Sequence, residues 1–462
     1  MALTAAAASG LALDLVGHAG LVSVSGTILV TCLSAGLLVT GRAAGTAAKC
    51  MVAAGGALGL VLTVRTSPWV VAPVLTTALI LLLLGASLGS DGTGIPRTPS
   101  EAVVRTAISV CHLGIAPGVL RRQPDAERPA GPQRWPSLAR GAVLAMVVGA
   151  PLTALLASAD PIFRSWLDLS GAARHVSLVL AGAWLLLGLV RASSSTTKLP
   201  GVSPKRLIGS VEATCALGAV AFLYGAFVAA QLVALSGGGR HVLTTRGLTY
   251  AQYARSGFAQ LLACAALTLL VILVLRSRLG QRADSPVLRG LAGVVAMLTL
   301  GIVITAMERL RLYQAAYGLT MLRLAALVAC AWIGAIFLLL AALVTSRSVR
   351  TLVPKAALVI TVAAIAGWAV ANPAALVAQT NLDRAANGHP IDIRAATSLG
   401  ADAVPTLTKG ASHLDVATRQ SLVDAVCHES GHQSAGLSYN VAQASAAKAT
   451  ATACTAASAR RP

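Results

Sequence analysis

Apolar and polar positions in this chain are sorted by segment rather than by alternate residue. Long runs built mostly of Ala, Val, Leu and Gly are separated by short polar or basic connections. About 20 such residues in a helix cross a hydrocarbon core of about 30 Å and make every backbone hydrogen bond internally. The runs predict spans near 19–41, 68–89, 138–158, 175–192, 207–235, 255–276, 286–307, 319–344 and 354–371. Two shorter runs, near 2–17 and 49–64, bring the expected number to about eleven. Residues 101–120, EAVVRTAISVCHLGIAPGVL, are expected to lie along the interface.

The fold predicted is therefore all-α: a polytopic helical membrane domain over residues 1–371, followed by a small helical tail over 372–462. Within the membrane domain, residues 90–137 read as a largely cytoplasmic basic loop. Basic connections stay preferentially in the cytoplasm, and with the N-terminus inside the inner connections hold 20 Lys and Arg against nine outside. That orientation puts the tail on the extracytoplasmic side of a bacterial plasma membrane. Gly55 with Gly59, and Gly85 with Gly89, mark places where helices can approach closely.

Composition narrows the class without changing it. The chain has 462 residues, 56% of them hydrophobic and 11% charged, and a mean hydropathy of +0.76, which excludes an ordinary soluble domain. A net charge of +20 invites thoughts of nucleic acid, yet the basic residues lie between apolar runs and not in an aromatic-interleaved patch, so membrane lipid is the expected partner and nucleic acid is not. Arginine outnumbers lysine thirty to six, the bias of a GC-rich bacterial genome. The first residues lack a basic n-region and carry Asp14, which argues against a cleaved signal. Charges within the spans are few: Glu212, and Asp14 with His18 in the short first run. No nucleotide-binding loop, nucleophile elbow or kinase motif is present, and no cofactor is expected.

One stretch of the tail spells a catalytic pattern. In CHESGH, His428, Glu429 and His432 follow the H-E-x-x-H spacing of zinc proteases. No Asp, Glu or His follows His432 to complete the site, and the Gly and Ser around it signal a helix end, so a working protease is not expected and His428 and His432 are weak metal candidates. Cys427 and Cys454, both in the tail, can pair as a disulfide or remain two thiols; an oxidising compartment permits the first.

Ordered motifs sit at the predicted outer ends of the later spans: LLASADPIFRSW (155–166), FVAAQLVALSGGG (227–239), GLTYAQYARSGFAQLL (247–262), ERLRLYQAAYGLTMLRL (308–324), NPAALVAQTNLDRA (372–385) and SLGADAVPTL (398–407). Over about residues 136–410 the chain resembles bacterial integral membrane proteins of the domain-of-unknown-function families DUF4153 and DUF4173. The resemblance implies an integral membrane protein and brings no activity with it. It departs from the family pattern where a basic–aromatic pair usually precedes the Asn of an NxxR element; here Gln379 and Thr380 precede Asn381.

Asp160, Arg164, Tyr250, Tyr253, Arg255, Glu308, Arg311, Tyr313, Tyr317 and Arg323 are the candidates for an extracytoplasmic polar site, and Asn381, Asp383, Arg384 and Asp402 for an interaction surface on the tail. Guanidinium and phenol groups at a membrane face suit a phosphate or carboxylate, with a carboxyl nearby for proton transfer. They equally serve as interfacial anchors. Three functions stay open: a non-enzymatic sensor, scaffold or assembly component with a protein partner on its tail; an envelope enzyme or lipid-handling protein; and a transporter.

Overall fold

A computed structural model describes residues 2–40, 45–89, 175, 176, 178, 179, 181–183, 210–233, 258–279, 285–342, 347–428 and 435–458. Among them there is helix and no strand. The helices of the expected membrane domain are α1 (Ala2–Ala19), α2 (Val24–Val39), α3 (Thr46–Gly59), α4 (Val61–Val64), α5 (Pro68–Gly89), α6 (Ser210–Val233), α7 (Phe258–Leu279), α8 (Pro286–Tyr317), α9 (Met321–Ala342) and α10 (Arg347–Val370). The tail holds α11 (Pro373–Ala386), α12 (Ile393–Thr397), α13 (Val404–Gly410), α14 (Val416–His428) and α15 (Val441–Ser458), with 3-10 turns at Ala411–His413 and Gly436–Ser438.

Five stretches are long and apolar enough to cross a membrane: Thr46–Val64, Pro68–Leu88, Pro286–Tyr317, Met321–Ala342 and Val353–Val370. Shorter apolar stretches stand at Val24–Val39, Ala213–Ala229 and Leu261–Leu273. This is a polytopic helical membrane protein. The expected span 138–158 lies outside the described residues, as does most of 175–192, of which 175–183 is described in part and is helical.

The expected span 19–41 is cut back to 16 residues, Val24–Val39. Its first residues are apolar but form a turn: Gly20 takes φ 84°, and the hydroxyls of Ser23 and Ser25 donate to its carbonyl at 2.7 and 2.8 Å. The second departure runs the other way. Helix α8 continues ten residues past the expected end at 307, because nothing in MERLRLYQAAY breaks a helix before Gly318 at φ 79°. At 32 residues and about 1.5 Å per residue it is longer than a hydrocarbon core is thick.

The chain divides into two compact units. One holds α1 to α5, the described residues of 175–183 and residues 435–444. Here α3 packs on α5 with Gly55 against Ala78 and Leu82, and Gly85 against Val52, so these glycines serve intramolecular contacts. The hydroxyl of Thr27 on α2 lies 2.9 Å from the Gly59 carbonyl and 2.7 Å from Thr63, tying α2 to α3 and α4.

In the other unit α8 is central and packs on α6, α7 and α9. Its buried positions, Leu288, Val295, Ala296, Thr299, Ile302, Val303, Ala306 and Leu310, recur at helical period, and Phe337 of α9 is wholly buried against that core. On its other face Val287, Val294, Met297 and Ile304 are exposed, as are Phe222, Leu267, Leu322 and Leu338 on neighbouring helices. Water would penalise so much exposed apolar surface; lipid accepts it. Polar ties within the bundle are Tyr224 to Thr268 at 2.6 Å and Trp332 Nε1 to Thr361 at 3.1 Å.

Candidate functional site

A helix leaves its last carbonyls without partners, and α8 is finished by side chains from two other helices. Arg323, in the first turn of α9, folds back and donates to the carbonyls of Gly318 at 2.6 Å and Tyr317 at 3.3 Å. From α11, Arg384 donates to the carbonyls of Ala315 and Ala316. Asn381, one turn earlier, treats Leu319 as a backbone partner: its Nδ2 donates to the Leu319 carbonyl at 2.8 Å and its Oδ1 accepts from the Leu319 N–H at 2.9 Å. Gly318 is required beneath this clasp, since a Cβ there would lie 2.8 Å from Asn381 Oδ1.

The aromatic candidates join the same end. Tyr313 and Tyr317 meet edge to face at 5.0 Å, and the Arg323 guanidinium lies 4.1 Å from the centre of the Tyr313 ring. Both tyrosines ride on α8 with Glu308, past the expected end of that span at 307, because the helix runs uninterrupted to Tyr317. Arg311 donates to Glu308 at 2.8 Å, and both side chains are more than half exposed. Asp160, Arg164, Tyr250, Tyr253 and Arg255 lie outside the described residues, so only half of the proposed polar site has a described place.

The tail is assembled from short capped helices. Asn372, at φ 49°, breaks α10 from α11: its Oδ1 accepts from the Ala375 N–H and its Nδ2 donates to the Asp402 carbonyl at 3.0 Å. Asn tolerates this left-handed backbone, and Pro373 suits the first helical position. Asp402 is buried, whereas Asp383 is exposed and accepts from Gln379 at 2.8 Å. Asp415 caps α14 by accepting from the Thr418 N–H at 3.0 Å, and that backbone bond holds its carboxyl below the usual carboxylate range. Arg419 donates to the carbonyls of Ala411, Ser412 and Leu414. Leu382, Leu407, Leu422 and Val426 form the buried side.

Cys427 and Cys454 are joined in a disulfide with Cα atoms 6.0 Å apart, linking α14 to α15. His428 closes α14, and Glu429 to His432 lie outside the described residues. Glu212 belongs to the first turn of α6.

Two features escaped the sequence reading. Asn440 is fully buried; its Nδ2 donates to the Leu62 carbonyl at 2.9 Å and also reaches those of Arg65 and Val22, while its Oδ1 accepts from the Ala442 N–H and caps α15. The only local signal was an Asn before a helical run. His175 meets Asp14 and His18 of α1: its Nδ1 lies 2.9 Å from Asp14 Oδ1 and 2.9 Å from His18 Nε2, and the two rings stack at 4.2 Å. A separation of 157 residues hid that meeting.

No curated protein and no solved structure matches the chain. A family model does match, over residues 52–410, beginning within α3 and ending with α13. It extends well ahead of the region in which the ordered motifs are legible, because the front helices are spelled in interchangeable apolar residues. Covering most of the chain, that match shows that the protein belongs to the family described as "Domain of unknown function (DUF4153)".

Proposed function

We propose that this protein is a non-enzymatic component of the bacterial cell envelope, a sensor, scaffold or assembly partner, whose tail is a docking module held rigidly to the membrane helices on the extracytoplasmic side. One observation carries the reading: the guanidinium groups of Arg323 and Arg384 and the amide of Asn381 are spent on the protein's own carbonyls at the end of α8. Donors committed to the protein's own backbone are withdrawn from a ligand, and such ties are what rigid mounting of a tail needs. The disulfide between Cys427 and Cys454 supports an oxidising, extracytoplasmic location. Val416 on α14 and Leu376 on α11 are exposed apolar residues that a protein partner would cover.

The second reading, an outer-leaflet site for a phosphate- or carboxylate-bearing lipid, rests on the exposed Glu308–Arg311 pair just past the expected membrane edge. One experiment separates the two. A photo-cross-linking residue is placed at Val416 in cells, and lipids copurifying with the wild type and with an Arg255→Ala, Arg311→Ala double variant are compared. The scaffold reading expects one discrete cross-linked protein and identical lipids. Selective loss of a minor phosphate-bearing lipid from the variant, with no cross-linked protein, overturns it in favour of the second.

A further inference from the structure

In an apolar helix such as α1, three ligating side chains gathered at one point call for a physical reason. Asp14 and His18 stand one turn apart on a single face of α1, and His175 arrives from the 175–183 segment. Glycines allow the two to come so close. A Cβ at Gly10 would collide with the Val179 carbonyl, one at Gly17 with the Leu178 side chain, and one at Gly182 with the Ser9 carbonyl.

Hydrogen bonding alone does not account for the arrangement. Nδ1 of His175 carries at most one proton, yet it stands 2.9 Å from both Asp14 Oδ1 and His18 Nε2. At most one of those contacts is a linear hydrogen bond. The third separation, His18 Nε2 to Asp14 Oδ1, is 3.9 Å. Together the three bracket the edge of about 3.3 Å expected between ligands held about 2.0 to 2.1 Å from a tetrahedral ion.

We propose that Asp14, His18 and His175 bind a divalent transition-metal ion, zinc in the first place. Two imidazoles and a carboxylate are a donor set for first-row transition metals, unlike the all-oxygen sets of calcium and magnesium. His18 lies in the last turn of α1, where the helix carries its negative pole. The imidazoles are 52% and 44% exposed beside an Asp14 that is 18% exposed, so one side stays open for a fourth ligand from solvent. Topology is compatible: four crossings are expected between Ala19 and His175, which returns the chain to the side on which α1 ends. The ion fastens the 175–183 segment to α1 and is acquired from that side.

The test uses the full chain in detergent, purified without a polyhistidine tag, stripped with chelator and titrated with Zn²⁺. One bound ion per chain is expected. His18→Ala and His175→Ala should each weaken binding by more than about 100-fold, beyond the roughly 10- to 100-fold cost of losing an outer-shell partner. His428→Ala with His432→Ala should leave it unchanged. Against variants that fail to fold, acylation of His18 and His175 by diethyl pyrocarbonate is mapped in the intact wild type, where Zn²⁺ should block both. No stoichiometric ion, or an ion lost only with His428 and His432, overturns the proposal; so does undiminished acylation of His18 and His175 at saturating Zn²⁺.

Discussion

Single amides and guanidinium groups hold this protein's helix ends, and their effects are open to measurement one residue at a time. Asn440 satisfies carbonyls at the ends of neighbouring helices and caps α15 while wholly buried. Replacing it with Ala strands those carbonyls and removes the cap, a loss of about 2 to 4 kcal/mol that thermal unfolding in detergent should register. Asp415 offers a pH-dependent counterpart. Its carboxyl is held below its ordinary value by the Thr418 N–H, so its contribution is complete above the carboxylate range and is lost as pH falls through the depressed native value. Hydrogen exchange of the first α14 amides should quicken on acidification in the wild type and be insensitive to that change in Asp415→Asn. Sequence exposed Asn381, Arg384 and Arg323 as residues worth attention, but their work depends on folding: Arg384 caps the end of α8 and Asn381 pairs with Leu319 beyond that end, each across more than 60 residues.

Elements were largely legible. The apolar runs foretold α5, α6, α7, α8, α9 and α10, since about 20 apolar residues between polar connections have few alternatives in lipid. Hydropathy misjudged ends rather than centres. It ran α2 back through the turn at Gly20, where hydroxyls meet a carbonyl, and stopped α8 at Met307, before Glu308, although charged residues are good helix formers and only Gly318 changes the backbone's hand. Gly318→Ala therefore belongs to this scale, as the stop between α8 and α9. Its cost should be about 1 to 3 kcal/mol from backbone strain, with added loss where the new Cβ displaces Asn381. Restoration of stability by a further Asn381→Ala change would show that the contact with Asn381, not the backbone, dominates.

At the scale of the whole molecule the question is sidedness. In one unit the tail meets the α8–α9 connection through Asn381; in the other, Asn440 meets the starts and ends of α2 and α4. The alternation of the expected spans and the count of basic residues predict an extracytoplasmic tail, an expectation that labelling can test. A membrane-impermeant thiol reagent should therefore label Lys409→Cys in intact cells and reach Lys355→Cys only after permeabilisation; the reverse pattern would invert the topology. Sequence by itself determined the solvent of this chain and most of its helices, because the hydrophobic effect and the need to satisfy every backbone group in lipid act through composition and run length. It determined the family as well, through motifs in order. Tertiary structure alone decided which polar groups meet: Asn381 with Leu319, Cys427 with Cys454, and His175 with Asp14 and His18. Those encounters join residues 27 to 161 positions apart, and a local pattern of apolar and polar residues carries no term for partners so distant.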